Sequence, residues 1–264
     1  QTKALSCRDS GPYSKSKRKM AKVLMVVTSH SKLGDTGNPT GYWQEEFAAP
    51  YYLFKDAGFA VTIASPLGGE PPCDPKSLDA GFQTKYTERL NGDAEAKKQL
   101  ASTVKLDTVS EEDYTAIFYP GGHGPLYDLR SDKHSIALIE AFASKKKVVG
   151  AVCHGPAVLA ETKLGGSPLV KGKKMTGFSN AEEAAVQLTS VVPFLLEDEF
   201  KKQGASFLTG PDWTPKVVVD GTLFTGQNPQ SSEGVAQAIV EYLTNLPKVL
   251  MVVTSHNKLG DTGN

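Results

Sequence analysis

Short apolar runs alternate with helical patterns along most of the chain. The apolar runs predict strands buried on both faces, at Val23–Val27, Ala60–Ala64, Tyr114–Tyr119 and Val148–Val152. Apolar residues at helical spacing predict helices at Gly41–Asp56, Asp93–Leu100, Ile136–Ala143, Ala181–Leu188, Pro193–Gln203 and Ser231–Leu243. Lys216–Asp220 and Thr222–Thr225 are predicted to pair around Asp220-Gly221, a dipeptide typical of hairpins. Strands that alternate with helices indicate an α/β fold, with a mainly parallel sheet and helices on both of its faces.

The stretch Lys147–Glu161 joins a predicted strand, a sharp turn and a helical pattern. Cys153 stands at the turn, directly before His154, Gly155 and Pro156. A nucleophile between a strand and a helix forms a nucleophile elbow, which lifts the side chain above the sheet. The alternative is a buried cysteine that packs as a small apolar residue. The turn at a strand end favours the functional interpretation, and the helix N-terminus predicts a low pKa for the thiol.

A second turn, Gly121–Gly124, also follows a predicted strand. In parallel sheets the ligand lies at the carboxyl ends of the strands, so this turn and Cys153 are predicted to share one site. An anionic intermediate at such a site needs N–H donors. The backbone amides of Gly122, His123 and His154 are the candidates.

Composition excludes several classes of function. The chain has 264 residues, of which 39% are hydrophobic, and this is enough for one sizeable core. Lys and Arg together number 29, as do Asp and Glu, so nothing indicates a nucleic-acid partner or an anionic membrane. No apolar run reaches the ~18 residues of a membrane span. Three cysteines form no disulfide framework, which predicts a reducing, cytoplasmic compartment.

The two ends of the sequence stand apart from the predicted domain at residues 20–247. Residues 1–19 are polar and basic, and we expect a disordered extension or an expression leader before Met20. Lys22–Asn38 is repeated at Lys248–Asn264 with one difference, Asn257 in place of Ser31. The repeat is interpreted as the truncated start of a second domain, an assembly artefact or a swap segment.

Several motifs together resemble the ThiJ/PfpI superfamily, in particular its heat-shock glyoxalase/chaperone branch. The resemblance covers about Lys22–Leu243. It rests on Thr40-Gly41 with Glu46, Gly121-Gly122-His123-Gly124, Ala151-Val152-Cys153-His154-Gly155-Pro156, Gly177-Phe178 with Glu183, and Thr225-Gly226-Gln227-Asn228-Pro229. It implies a flavodoxin-like sandwich, usually a homodimer, that converts 2-oxoaldehydes such as methylglyoxal to lactate. The implied enzyme is a glyoxalase III-type lyase (D-lactate dehydratase) that uses no glutathione, no metal and no other cofactor.

The resemblance also implies a role for each site residue. Cys153 matches the nucleophile, which forms a hemithioacetal, and His154 matches the acid/base. Glu46 matches a carboxyl group that lies against the thiol. Glu183 matches the acid that orients the histidine, although its neighbour Glu182 leaves that assignment open.

Other functions remain open for the same cysteine. They are deglycation of carbonyl adducts, cysteine amidase or peptidase activity, and a holdase chaperone in which oxidation of Cys153 senses stress. A glutamine amidotransferase is disfavoured, because its His-x-Glu pair downstream of the cysteine is missing.

Overall fold

A seven-stranded sheet forms the centre of the computed structural model, which describes residues 20–245. The predictions for residues 1–19 and 248–264 lie outside the described residues. The strands are β1 (Lys22–Val26), β2 (Ala60–Ser65), β3 (Val104–Lys105), β4 (Ala116–Tyr119), β5 (Val148–Val152), β6 (Lys163–Leu164), β7 (Ser167–Pro168), β8 (Lys174–Met175), β9 (Ser206–Phe207), β10 (Val217–Asp220) and β11 (Leu223–Gly226). The order in the large sheet is β10-β11-β5-β4-β1-β2-β3, while β6 pairs with β7 and β8 with β9.

Helices cover the sheet on both faces. They are α1 (Gln44–Asp56), α2 (Lys85–Gly92), α3 (Ala94–Leu100), α4 (Lys133–Ser144), α5 (Asn180–Ala185), α6 (Leu196–Lys202) and α7 (Ser232–Asn245). The crossover through α1 moves from β1 to β2, and the crossover through α4 moves in the opposite direction, from β4 to β5. Because parallel crossovers are right-handed, α1 and α4 lie on opposite faces. Helix α7 packs against α1. The predicted flavodoxin-like fold is confirmed.

The strand order reverses between β1 and β4, which are parallel neighbours. Such a switch point opens a crevice at the carboxyl ends of the strands, where α/β proteins bind ligands. Strands β4 and β5 lie side by side there, and every residue of both strands is buried. Their full burial explains why both read as continuous apolar runs in the sequence.

The edge of the sheet ends in the hairpin that the sequence predicts around Asp220-Gly221. Val218 of β10 lies opposite Thr225 of β11, and this is the antiparallel pair of the large sheet. Strand β11 in turn runs parallel to β5 and reaches the same edge as Cys153. The hairpin therefore brings the segment after Gly226 to the candidate site.

The helices of the structure differ from the predicted ones in several places. The sequence does not predict α2, which begins with a capping box made by two threonines, Thr84 and Thr87, instead of a threonine and a glutamate. Helix α1 begins at Gln44 and not at Gly41, because the backbone of Tyr42 pairs with the segment after Pro71. The segment after Cys153 is a 3₁₀ turn of five residues, Gly155–Leu159, and not an α-helix. Within residues 20–245, no helix combines the length and apolar character that crossing a bilayer requires.

Candidate active site

Cys153 lies at the turn between β5 and the 3₁₀ turn Gly155–Leu159. Its backbone φ of +59° falls in the left-handed region, which costs a residue other than glycine roughly 1–2 kcal/mol. The Cys153 N–H donates to the carbonyl of Gly226 at 2.9 Å, and the Cys153 carbonyl accepts from the N–H of Phe178 at 2.9 Å. Two neighbouring segments therefore hold the turn in this conformation, with only 4% of the cysteine exposed.

The glycine turn after β4 passes very close to its neighbours. A Cβ on Gly121 would lie 2.7 Å from Oε2 of Glu46, and a Cβ on Gly122 would lie 2.2 Å from the carbonyl oxygen of Gly41. Gly122 also has a φ of +78°. A side chain at either position would push the turn away from the cysteine, so both glycines are needed for the site to close.

Glu46 in α1 lies between the glycine turn and the cysteine and is fully buried. Its Oε2 accepts a hydrogen bond of 2.6 Å from the N–H of Gly121. Its Oε1 has no hydrogen-bond partner among the described residues, and the carboxyl group interacts with the thiol of Cys153. Burial raises the pKa of Glu46 to about 8, so the carboxyl group carries a proton at neutral pH.

The thiol of Cys153 differs from the prediction of a low pKa. Burial raises the pKa of this thiol, and the carboxyl group of Glu46 raises it further when that group is ionised. The expected helix N-terminus is only a short 3₁₀ turn, which has too few aligned peptides to offset the loss of water. The prediction of a preformed thiolate is therefore wrong, and the thiol needs a base when it reacts.

Two histidines share the carboxylate of Glu183. Nε2 of His154 lies 2.6 Å from Oε2, and Nε2 of His123 lies 3.0 Å from Oε1. The two imidazole rings lie against each other with their centroids 4.1 Å apart. Burial alone would raise the pKa of Glu183, but the charge of His154 and the hydrogen bonds from both rings hold it well below its usual range. The carboxylate therefore stays ionised.

The ionised carboxylate fixes the tautomers of both histidines. Burial, followed by the charge of His123, lowers the pKa of His154, so this imidazole is neutral at pH 7. Glu183 has no proton to give, and a neutral imidazole beside it must donate through Nε2. Nδ1 of His154 is then a lone-pair acceptor, and it lies 3.4 Å from Sγ of Cys153. This geometry suits transfer of the thiol proton to His154.

Glu182 makes contacts entirely different from those of Glu183. Its carboxylate accepts hydrogen bonds from Ser179, from the N–H of Trp213 and from Nδ2 of Asn228, all at 2.8–3.1 Å. These bonds tie the start of α5 to two loops and leave Glu182 away from His154. Of the two adjacent acids, Glu183 is the one that contacts the histidine.

The sequence singles out the backbone N–H groups of Gly122, His123 and His154, and these three residues line the same cavity as Cys153. Those of Gly122 and His123 donate to no other residue in the described part of the chain, and that of His154 is directed at the sulfur. The N–H of Gly121 is already used by Glu46. The amides of Gly122 and His123 are therefore free to donate to a ligand in the cavity.

A cavity of about 680 Å³ opens above Cys153, His154 and His123. Four aromatic side chains line it: Trp43, Phe82, Phe178 and Trp213. Phe178 packs on the ring of His154 with centroids 4.4 Å apart, and Trp213 packs on Phe178 at 5.8 Å. Helical spacing assigns Trp43 to the buried face of a helix, but it precedes α1 and lines the cavity. A separate cavity beside Cys73 contains none of the predicted site residues.

Residues 39–242 match the sequence model of the DJ-1/PfpI family. The chain belongs to the DJ-1/PfpI family. It is 33% identical to glutathione-independent glyoxalase HSP31 of Saccharomyces cerevisiae, over 85% of this chain and 98% of that protein. The crystal structure of glyoxalase III from Candida albicans matches with a TM-score of 0.78 at 29% identity, over 84% of this chain and 97% of that chain. Protein/nucleic acid deglycase HchA of Pseudomonas aeruginosa is 27% identical, over 84% and 80% of the two chains.

One group of side chains in this site also has the composition of a metal site. His123, His154 and Glu183 each offer one ligand atom, and these atoms lie within 4.8 Å of one another. The same atoms already hydrogen bond to each other, so an ion would have to replace both bonds. The sequence predicts no metal, and that expectation stays a prediction for chelation to test.

The predictions from the sequence lack two features of this site. They assign only the backbone of His123 to the site, whereas the structure also places its imidazole against His154 and Glu183. They also miss Phe178 and Trp213 as cavity walls. Phe178 follows Gly177 in one of the motifs that carry the family resemblance, and nothing in the local pattern distinguishes Trp213.

Proposed function

We propose that this protein is a glutathione-independent glyoxalase, which converts methylglyoxal and related 2-oxoaldehydes to 2-hydroxy acids. The observation that carries the proposal is a thiol with a neutral imidazole acceptor 3.4 Å away, at the floor of one cavity. Cys153 is the nucleophile, and His154 is its acid/base. Glu183 orients His154, and Glu46 lies on the other side of the sulfur.

The first step forms a hemithioacetal. Sγ of Cys153 attacks the aldehyde carbon while the thiol proton passes to Nδ1 of His154. The electron pair of the C=O bond moves to oxygen, where the amides of Gly122 and His123 donate to it. The protonated carboxyl group of Glu46 favours negative charge on the sulfur as the thiol loses its proton.

The second step is an isomerisation. His154 first gives the thiol proton to the hemithioacetal oxygen, so its Nδ1 is free again. It then removes the proton on the former aldehyde carbon, the hydroxyl proton passes to the neighbouring oxygen through an enediol, and the neighbouring carbon takes up a proton. His154 carries this proton. The product is a 2-hydroxyacyl thioester on Cys153, and water then releases the 2-hydroxy acid and regenerates the thiol. One aldehyde and one water give one acid without net oxidation, so no glutathione or redox cofactor is needed.

The test is lactate formation from methylglyoxal in the absence of glutathione. We expect steady turnover by the full chain and loss of at least 10³-fold in Cys153→Ala, because no other cysteine among the described residues lines the cavity. A matched control is Cys73→Ala, since Cys73 is half-buried and lies beside a different cavity. EDTA treatment should leave the rate unchanged. A wild-type protein without turnover would contradict the proposal.

A deglycase is the second candidate, because the cavity is much larger than methylglyoxal requires. Its 680 Å³ and aromatic walls have room for an adduct on a protein side chain or nucleotide base. The same Cys153 would attack such an adduct. Glyoxalase activity in an amine-free buffer separates the two functions, since no adduct exists there.

Several expectations about assembly, compartment and partners also stay predictions. The family resemblance predicts a homodimer, which light scattering on the purified chain checks. The cytoplasmic compartment and the absence of a nucleic-acid partner also stay predictions. A holdase chaperone would keep suppressing aggregation in Cys153→Ala, whereas the glyoxalase would lose its turnover.

A further inference from the structure

We propose that the imidazole of His123 is the general base for the last step, the hydrolysis of the acyl thioester on Cys153. This inference rests on the proposed glyoxalase function and assigns one of its proton transfers to a second histidine. The reaction has two different tasks for a base. One is to accept the thiol proton and move a proton between carbons, and the other is to activate water.

Both ring nitrogens of His154 lie against other groups. Its Nε2 is bound to Glu183 at 2.6 Å, and its Nδ1 lies 3.4 Å from the sulfur that carries the acyl group. His154 is also 1% exposed, beneath the rings of His123 and Phe178. It is therefore placed to serve the sulfur and the carbon attached to it, and it is less open to water than His123.

His123 has the free nitrogen that His154 lacks. Its Nε2 lies 3.0 Å from the ionised carboxylate of Glu183, which can only accept, so the hydrogen of this bond is on Nε2. Nδ1 then carries a lone pair, and it hydrogen bonds to no residue in the described part of the chain. His123 lines the cavity and has 13% of its side chain exposed. A water molecule in the cavity can therefore reach this nitrogen.

The hydrolysis step balances without any further reactant. The oxygen of water bonds to the thioester carbon, and one water proton passes to Nδ1 of His123. The carbonyl electron pair moves to oxygen and returns, the carbon–sulfur bond breaks, and the sulfur leaves as thiolate. The proton on His123 then returns through solvent, and the sulfur takes up a proton again. Glu183 compensates the positive charge on whichever ring is protonated.

The variant His123→Gln tests this assignment. Glutamine keeps an amide that can donate to Glu183, but it cannot accept the water proton. The matched control is His134→Gln, which removes an exposed histidine at the start of α4. Each full-length protein is mixed with methylglyoxal, quenched in acid during turnover and measured by intact-mass spectrometry. We expect the wild type and His134→Gln to be unmodified, while most of His123→Gln carries one lactoyl group on Cys153.

A second measurement separates chemistry from structure. After excess aldehyde is removed, hydroxylamine should release the lactoyl group from His123→Gln as a hydroxamate, because this nucleophile needs no general base. We expect steady turnover of His123→Gln to fall about 10²-fold. A variant that slows equally but keeps a free thiol, or one that keeps wild-type turnover, overturns this inference alone. A wild-type chain that forms no lactate overturns the proposed function together with this inference.

Discussion

Glu46 and Glu183 lie on opposite sides of the reactive thiol–imidazole pair, and at neutral pH Glu46 is protonated whereas Glu183 is ionised. They are almost equally buried, with 0% and 3% of their surfaces exposed. Yet the pKa of Glu46 rises to about 8, while that of Glu183 falls well below its usual range. Burial therefore does not decide which of the two acids is ionised.

The difference comes from the donors that surround each carboxyl group. Glu46 receives one backbone N–H, and its second oxygen has no hydrogen-bond partner among the described residues. Glu183 receives one imidazole N–H on each oxygen. A carboxylate with two charge-capable donors stays ionised in an apolar site, whereas one with a single neutral donor takes up a proton. The site therefore holds a proton donor on one side and a fixed anion on the other.

The largest effect is expected when the fixed anion is removed. Glu183→Gln puts an amide against Nε2 of both histidines, and the amide can force the wrong tautomer by donating to them. We expect kcat/KM for methylglyoxal to fall about 10³-fold, since loss of the correct tautomer is costly in comparable triads. Turnover within tenfold of wild type would mean that Glu183 does not orient the histidines.

The matched control for this change is the neighbouring acid. Glu182→Gln disturbs a carboxylate that accepts from three residues of the scaffold, so the loss should be in stability, about 2–4 kcal/mol by urea unfolding. The folded fraction should keep most of its turnover per molecule. Equal activity losses in the two variants would erase the distinction between them.

A smaller loss is expected when the proton donor is removed. Glu46→Gln leaves a side chain that donates a hydrogen bond but cannot exchange a proton, so we expect turnover to fall about 10–10²-fold while the fold survives. The control is Glu45→Gln, because Glu45 faces away and accepts from Oγ1 of Thr84 at 2.5 Å. That change should be nearly neutral for turnover. Similar losses in both would show that Glu46 is not the acid beside the thiol.

The pH dependence of turnover should reflect the same asymmetry. We expect kcat/KM to fall as the pH rises through about 8, because Glu46 then loses the proton that favours negative charge on the sulfur. Glu46→Gln should lose this alkaline limb. His154 should cause no acid limb near the ordinary histidine pKa, because its own pKa is lowered. An alkaline limb that persists unchanged in Glu46→Gln would point to another group.

The smallest effect concerns stability. The pKa of Glu46 is raised in the folded state, so its contribution to stability is complete below the unfolded value of 4.5 and is lost as the pH rises through about 8. The limiting slope is about 1.4 kcal/mol per pH unit. Glu183 has the opposite sign, since its contribution is present above pH 4.5 and lost as the pH falls further. Urea unfolding at several pH values should show a shallower loss of stability between pH 4.5 and about 8 in Glu46→Gln.

The sequence reveals most of the fold because the buried strands and their turns leave strong local patterns. The runs at β4 and β5, the Asp220-Gly221 hairpin and the turn at Cys153 are all confirmed. The two-threonine cap of α2 is not a pattern that predicts a helix, and its sequence has few apolar residues. The 3₁₀ turn after Cys153 depends on packing that the local sequence does not determine.

The site is less visible in the sequence, because two of its acids stand beside identical neighbours. Glu45 and Glu46 differ by one step along a helix, as do Glu182 and Glu183, and only tertiary contacts show which one faces the chemistry. The family resemblance, and not composition or spacing, singles out Glu46 and Glu183. The side chain of His123 could not be assigned, because its partners come from distant segments.

The left-handed backbone at Cys153 has a consequence for how such a sequence drifts. Glycine at this position would relieve roughly 1–2 kcal/mol of backbone strain, which offsets much of the lost burial of a small side chain. Folding therefore does little to retain the cysteine, and only the reaction would. A gene duplicate that is no longer selected for activity could have glycine in place of Cys153 and remain a well-folded, inactive descendant. Among related chains, the presence of a cysteine here would then distinguish working enzymes from such descendants more sharply than any measure of fold.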